Sequence, residues 1–148
     1  FESKRDLYIA CLRESWNGVR ELWEQSVAAE ADPGGWLAAM GRAFRESEDR
    51  IVVHCLWVQA IAEASEDPEI RAYMLEHMRG VHAHVAGVVG RAQALGAIPP
   101  DRDARAEAWV FLAIGFFNAV GGWLGGGLLD ADLPEIAASR RRWLTGRA

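Results

Sequence analysis

Residues 67–100 read DPEIRAYMLEHMRGVHAHVAGVVGRAQALGAIPP, and this stretch decides the fold. Asp67 is a good helix N-cap, and Pro68 suits the first turn, where its missing N–H is not needed. Ile70, Met74, His77, Val81, Val85, Val88, Ala92 and Leu95 then recur every three or four residues. That spacing lays them on one face of a long helix. Gly96 ends the helix, and Pro99-Pro100 forbids continuation. A helix of this length with one apolar stripe needs partners to cover the stripe, so the chain reads as a bundle built around it.

The flanking segments carry the same signals. Ser3 caps a first helix, with Asp6 three residues on completing something close to a capping box. Tyr8, Leu12, Val19, Leu22 and Trp23 form its stripe, and Asn17-Gly18 predicts a bend within it. Asp32-Pro33 starts a second helix with Trp36, Leu37, Met40 and Phe44 on one face. A third begins near Ser47 and carries Ile51, His54, Cys55, Val58, Ile61 and Ala62. Beyond the prolines, a helix from Asp101 or Asp103 runs to the glycines at 121–127 and is apolar nearly all round. A last helix follows Asp132, with Leu133, Ile136, Ala137, Arg140 and Leu144 on one side. The expected fold is therefore all-α, a bundle of about six helices in one domain spanning 1–148.

Composition agrees. Of the 148 residues, 51% are hydrophobic, which is enough for a real core. The net charge of −5 argues against a domain that grips nucleic acid unaided. Cys11 and Cys55 have no metal-site or disulfide spacing and sit among apolar residues. They read as reduced core thiols, which suits a cytoplasmic protein. No apolar run is expected to span a bilayer. The segment Ala108–Leu129 comes closest, but its glycines and Asn118 favour a buried helix, so no membrane partner is expected.

The first residues, Phe1-Glu2-Ser3-Lys4-Arg5-Asp6-Leu7-Tyr8, resemble the end of the DNA-binding motif of TetR-family transcriptional regulators. Phe1, Ser3, Lys4 and Leu7 match that pattern. The segment from Ala62 to Arg71 resembles the junction before the long core helix of many members, and Gly96 to Asp101 resembles its exit. The resemblance implies a C-terminal ligand-binding and dimerisation domain, with the helix-turn-helix head absent before Phe1. It implies a cytoplasmic homodimer built by the last two helices and a small-molecule effector in a central pocket. Operator DNA would be reached only through the missing N-terminal domain. Effector binding would move the first helix so that two DNA-binding heads no longer match successive major grooves, most simply as a released repressor.

The expected pocket lies where three apolar faces meet. The third helix supplies His54, Cys55, Trp57 and Val58, the long helix Met74, His77, Val81 and His84, and the fifth Trp109, Leu112 and Phe116. Each histidine reads either as a hydrogen-bonded core group or as a polar contact to a ligand. A metal is not expected. His82 and His84 point to different sides, His77 and His84 lie about 10 Å apart along the axis, and no Glu-x-x-His pair exists. No cofactor motif or nucleophile–base spacing stands out, so no enzyme activity is expected. Arg140-Arg141-Arg142 reads as solvated cations near a helix C-terminus.

The dimer expectation follows from dividing the fifth helix into two faces. Trp109, Leu112, Phe116 and Trp123 are assigned to the core of this chain. Phe111, Ile114, Asn118 and Gly122 are assigned to a partner copy, joined by Leu133, Ile136, Ala137 and Arg140 of the last helix. Asn118 has a second reading as a pocket contact. A helical enzyme or carrier for a small apolar molecule is the competing function, and a filled dimerisation module is a third.

Overall fold

The computed structural model describes residues 3–125 and 127–147, so Phe1 of the N-terminal motif and Gly126 lie outside the described residues. The chain forms α1 (Lys4–Ala29), α2 (Trp36–Glu46), α3 (Arg50–Glu63), α4 (Pro68–Ala94), α5 (Ala104–Leu124) and α6 (Leu133–Thr145). No strand occurs among the described residues. The all-α reading and the six helices therefore hold.

Local chemistry explains most boundaries. The Asp67 carboxylate accepts from the backbone N–H groups of Glu69 at 2.9 Å and Ile70 at 3.2 Å, and so starts α4. Asp103 does the same for α5 through Arg105 and Ala106. The Ser3 hydroxyl accepts from the Asp6 N–H at 3.1 Å and starts α1. Gly96 takes φ +72°, which lets the Ala97 N–H reach back to the Ala92 carbonyl and close α4. One start differs from expectation. Asp32-Pro33 opens a short 3-10 turn (Pro33–Gly35), and α2 begins only at Trp36.

The α4 helix is the centre of the bundle. Its Val81, Val85 and Val88 join Trp23, Met40 and Ala108 in one core cluster. Its Ile70 and Met74 join Leu12 and Ala60 in a second, and its Val89 and Ala92 join Ile98 and Leu144 in a third. Every other helix except the short 3-10 turn thus contributes a core residue packed around α4. Near its N-terminus, Arg5 of α1 clasps Asp67 at 2.6 Å and Glu69 at 3.0 Å.

Three sequence expectations need correction. No break interrupts α1 at Asn17-Gly18: the helix runs continuously from Lys4 to Ala29, because packing against α2, α3 and α4 outweighs the local cost of Gly18. Cys11 is exposed, so only Cys55, half-buried, resembles a core thiol. The α5 helix is long and apolar enough to cross a membrane by length and composition. The helix begins at Ala104, before the segment singled out in the sequence, and ends at Leu124, ahead of Gly125 and Gly127. In this fold one side of α5 packs on α3 and α4.

A methyl group at position 18 would meet nothing within 4 Å. Gly18→Ala should therefore stabilise the protein by about 0.5–1 kcal/mol through helix propensity alone. Urea denaturation checks this, and an unchanged or lower midpoint would show that α1 is strained at Gly18.

Candidate functional site

A partly enclosed apolar cavity of about 210 Å³ lies between α1, α2, α3 and α5, floored by α4 and closed on one side by α6. Trp16, Val19 and Trp23 enter from α1, and Leu37, Phe44 and Arg45 from α2. His54, Trp57 and Val58 come from α3, and Val81 from α4. Phe111, Leu112, Ile114 and Phe116 come from α5. All six helices thus contribute to its walls.

Six of the residues expected at a pocket line this cavity: His54, Trp57, Val58, Val81, Leu112 and Phe116. The others lie elsewhere. Met74 belongs to the core cluster between α1, α3 and α4. His77 and His84 sit behind the cavity wall, edge-on to Trp16 at 5.6 and 5.9 Å between ring centroids. Cys55 is half-buried on α3 away from the lining. Trp109 is on the outside, stacked on His82 at 4.1 Å.

The two faces of α5 are disposed differently from the sequence assignment. Phe111 packs against Trp23 at 5.6 Å in this chain's own core. Ile114 and Asn118 line the cavity, as do Leu133, Ile136, Ala137 and Arg140 of α6. Gly122 lies over His54: a Cβ there would stand 3.0 Å from Nδ1, so the bare backbone makes room for the imidazole. The face left outside carries Trp109, Val110, Phe117, Trp123 and Leu124, with Phe116 at the cavity's edge partly exposed and Trp143 of α6 also exposed. The physical reason is that α5 is apolar on every side, so hydrophobic periodicity cannot tell its inner face from its outer one.

Polar groups in the cavity are few, and Glu107, Arg140 and Arg141 among them are already matched. Glu107 is buried at the start of α5 and accepts from Arg140 and from Trp143 Nε1, the latter at 3.0 Å. Arg141 donates to Asp32 at 2.5 Å, and Arg142 to Glu135 at 2.7 Å. Each arginine of the triplet has an ion-pair partner; Arg141 and Arg142 are exposed, as expected, while Arg140 is half-buried against Glu107. Glu107 escaped the sequence reading because a single glutamate in the first turn of a helix looks like dipole chemistry. Trp23 Nε1 is a buried donor with no acceptor. Among the described residues no group of three His, Cys, Asp or Glu side chains could hold a metal ion.

The His77 ring is enclosed by aromatic rings: Trp57 at 4.6 Å, Trp16 at 5.6 Å and Tyr73 stacked at 5.7 Å. Its Nε2 is buried without a partner. Burial pushes its pKa down to about 4, because a charged imidazolium would lose its hydration with nothing to replace it. Burial lowers His54 and His84 in the same direction, with Arg50 adding to the effect at His54.

The sign of the resulting pH dependence is fixed. Above the ordinary imidazole pKa of about 6.5, folded and unfolded chains both carry neutral His77 and nothing changes. Below it the unfolded chain takes up a proton that the folded chain refuses, so stability is lost as pH falls towards 4. The loss attributable to His77 should approach about 3 kcal/mol. His77→Phe should remove that part of the acid sensitivity. Urea titrations of both proteins at pH 7 and pH 4.5 test this, and equal losses in the two would show that His77 is not the sensitive group.

Comparison with protein-family models, curated proteins and solved structures returns no match to this chain.

Proposed function

We propose that the chain is the effector-binding and dimerising part of a TetR-family transcriptional regulator. In this reading a small, largely apolar or aromatic molecule occupies the cavity and changes the disposition of α1. The observation that carries it is the cavity itself: about 210 Å³ of partly enclosed apolar space, walled by Trp16, Trp23, Trp57 and Phe111. A cavity of about 150 Å³ already holds benzene, so this one has room for a somewhat larger body. A purely structural module would fill such space with side chains, since voids in a core are destabilising. The order of helices and the capped junctions around α4 agree with the resemblance read from Ser3–Leu7, Ala62–Arg71 and Gly96–Asp101.

The dimer belongs to the same proposal, with its surface revised. The residues first assigned to a partner copy mostly face the cavity, whereas Trp109, Val110, Phe117, Trp123 and Leu124 of α5 and Trp143 of α6 stand exposed. An apolar strip of this length in water favours association. A second copy seated on it by a two-fold axis buries it symmetrically.

Native mass spectrometry of the protein from its source should detect a bound apolar molecule. Thermal unfolding should shift upward with apolar aromatic compounds somewhat larger than benzene. A chain that carries no adduct and responds to none of them would sink the sensor reading. Light scattering should give twice the chain mass of 16.3 kDa, and Phe117→Arg should give a folded monomer. A wild-type monomer, or a Phe117→Arg dimer, would remove the dimer as drawn.

A further inference from the structure

We propose that the molecule this cavity takes is an amphipathic monoanion, an apolar body ending in a carboxylate, and that Arg45 is its counter-ion. The inference rests on the sensor reading above and deepens it. Three arginines line the cavity: Arg45, Arg140 and Arg141. Two of them are neutralised from within the protein, Arg140 by Glu107 and Arg141 by Asp32. Arg45 differs. No carboxylate among the described residues comes within 4.0 Å of its guanidinium, although Glu46, Glu48 and Asp49 follow closely in sequence.

The guanidinium also has a defined place beside the cavity lining. Its Nη1 would lie 3.3 Å from a Cβ at position 41, one turn earlier on α2. Residue 41 is a glycine and itself lines the cavity. The Arg45 side chain therefore folds back along the bare backbone of α2 and stays half-buried on the cavity wall, not out in solvent. A cation held on an apolar wall loses hydration and regains it only from an anion or from several acceptors. Planar guanidinium and carboxylate match in a two-point hydrogen bond, stronger than a neutral pair.

The neighbouring polar groups fit an acceptor-rich head. His54 and Asn118 both line the cavity, and neither makes a side-chain hydrogen bond among the described residues. Asn118 lies one helical turn before Gly122, whose backbone abuts His54, so the two share one side of the cavity. The Asn118 amide N–H can donate to a carboxylate oxygen. The rest of the lining is aromatic and aliphatic, which receives the body. At about 1.4 times the volume that holds benzene, the partly open cavity suits a phenyl-sized body whose short chain reaches its rim.

The test uses a matched pair of probes, 4-phenylbutyrate and 4-phenyl-1-butanol, which share an apolar body and differ in the charge of the head. Titration calorimetry at pH 7, with quenching of the cavity tryptophans as a second readout, gives both dissociation constants. The wild-type chain should bind the acid at least about tenfold more tightly than the alcohol. Arg45→Gln should abolish that preference while leaving the alcohol within about twofold. Arg142→Ala, whose arginine pairs with Glu135 away from the cavity, should keep it. Arg45→Met retains the apolar stem and serves if the glutamine variant does not fold. Equal affinity for acid and alcohol in the wild type, or a preference surviving in either Arg45 variant, would overturn the assignment and leave the apolar pocket standing. Failure to bind either probe would overturn the pocket as well.

Discussion

Everything in this molecule depends on covering one helix. The α4 helix buries Ile70, Met74, Val81, Val85, Val88, Val89 and Ala92, and each of the three core clusters contains part of that row. A row so long cannot be covered by a single neighbour, since a second helix crossing it touches only a few turns. Five helices share the task, and their different approaches leave space between them where side chains do not meet. The cavity is thus a by-product of how α4 is wrapped, and its walls belong to helices whose positions are fixed mainly by contacts elsewhere.

That origin explains the chemistry of the walls. Residues facing the gap come from the same apolar stripes that build the core, so Trp16, Trp23, Trp57 and Phe111 serve both. The carboxylate on the wall has its own partners, Glu107 with Arg140 and Trp143, while His54 and Asn118 are uncharged polar groups among the apolar ones. Arg45 stands apart because it faces the gap without such a partner. His77, one layer deeper, shows the cost of the reverse arrangement: a titratable ring wholly inside aromatic packing, held neutral by lack of solvation.

Much of the fold was legible in the sequence because its signals are local. Ser3, Asp67 and Asp103 cap the helices that their positions announce, and Gly96 with Pro99-Pro100 ends α4. The stripe from Ile70 to Leu95 identified the core face of α4 as far as Ala92, while Leu95, just past the helix end, stands exposed. The candidate site was only half legible. His54, Trp57, Val58, Val81, Leu112 and Phe116 reach the cavity, while Trp109 stands outside and His84 lies behind Trp16. For α5 the period carries no information, since apolar residues occupy every direction and only tertiary contacts choose among them. The contributions of α1 and α2 were missed for a different reason. A tryptophan on an amphipathic stripe looks the same whether it faces a filled core or a gap, and the pairing of Glu107 with Arg140 spans 33 residues.

The unbroken course of α1 has a mechanical meaning. From the buried Trp23 to Lys4 the helix runs roughly 28 Å as one stiff rod. Each degree of rotation about the Trp23 end therefore carries the Lys4 end through about 0.5 Å, with no hinge at Gly18 to absorb it. Trp16 and Val19, which touch the cavity, sit near the fulcrum, where a small push makes a large angle. The clasp of Arg5 on Asp67 and Glu69 sits at the far end of the arm, where a modest force opposes rotation with the greatest leverage.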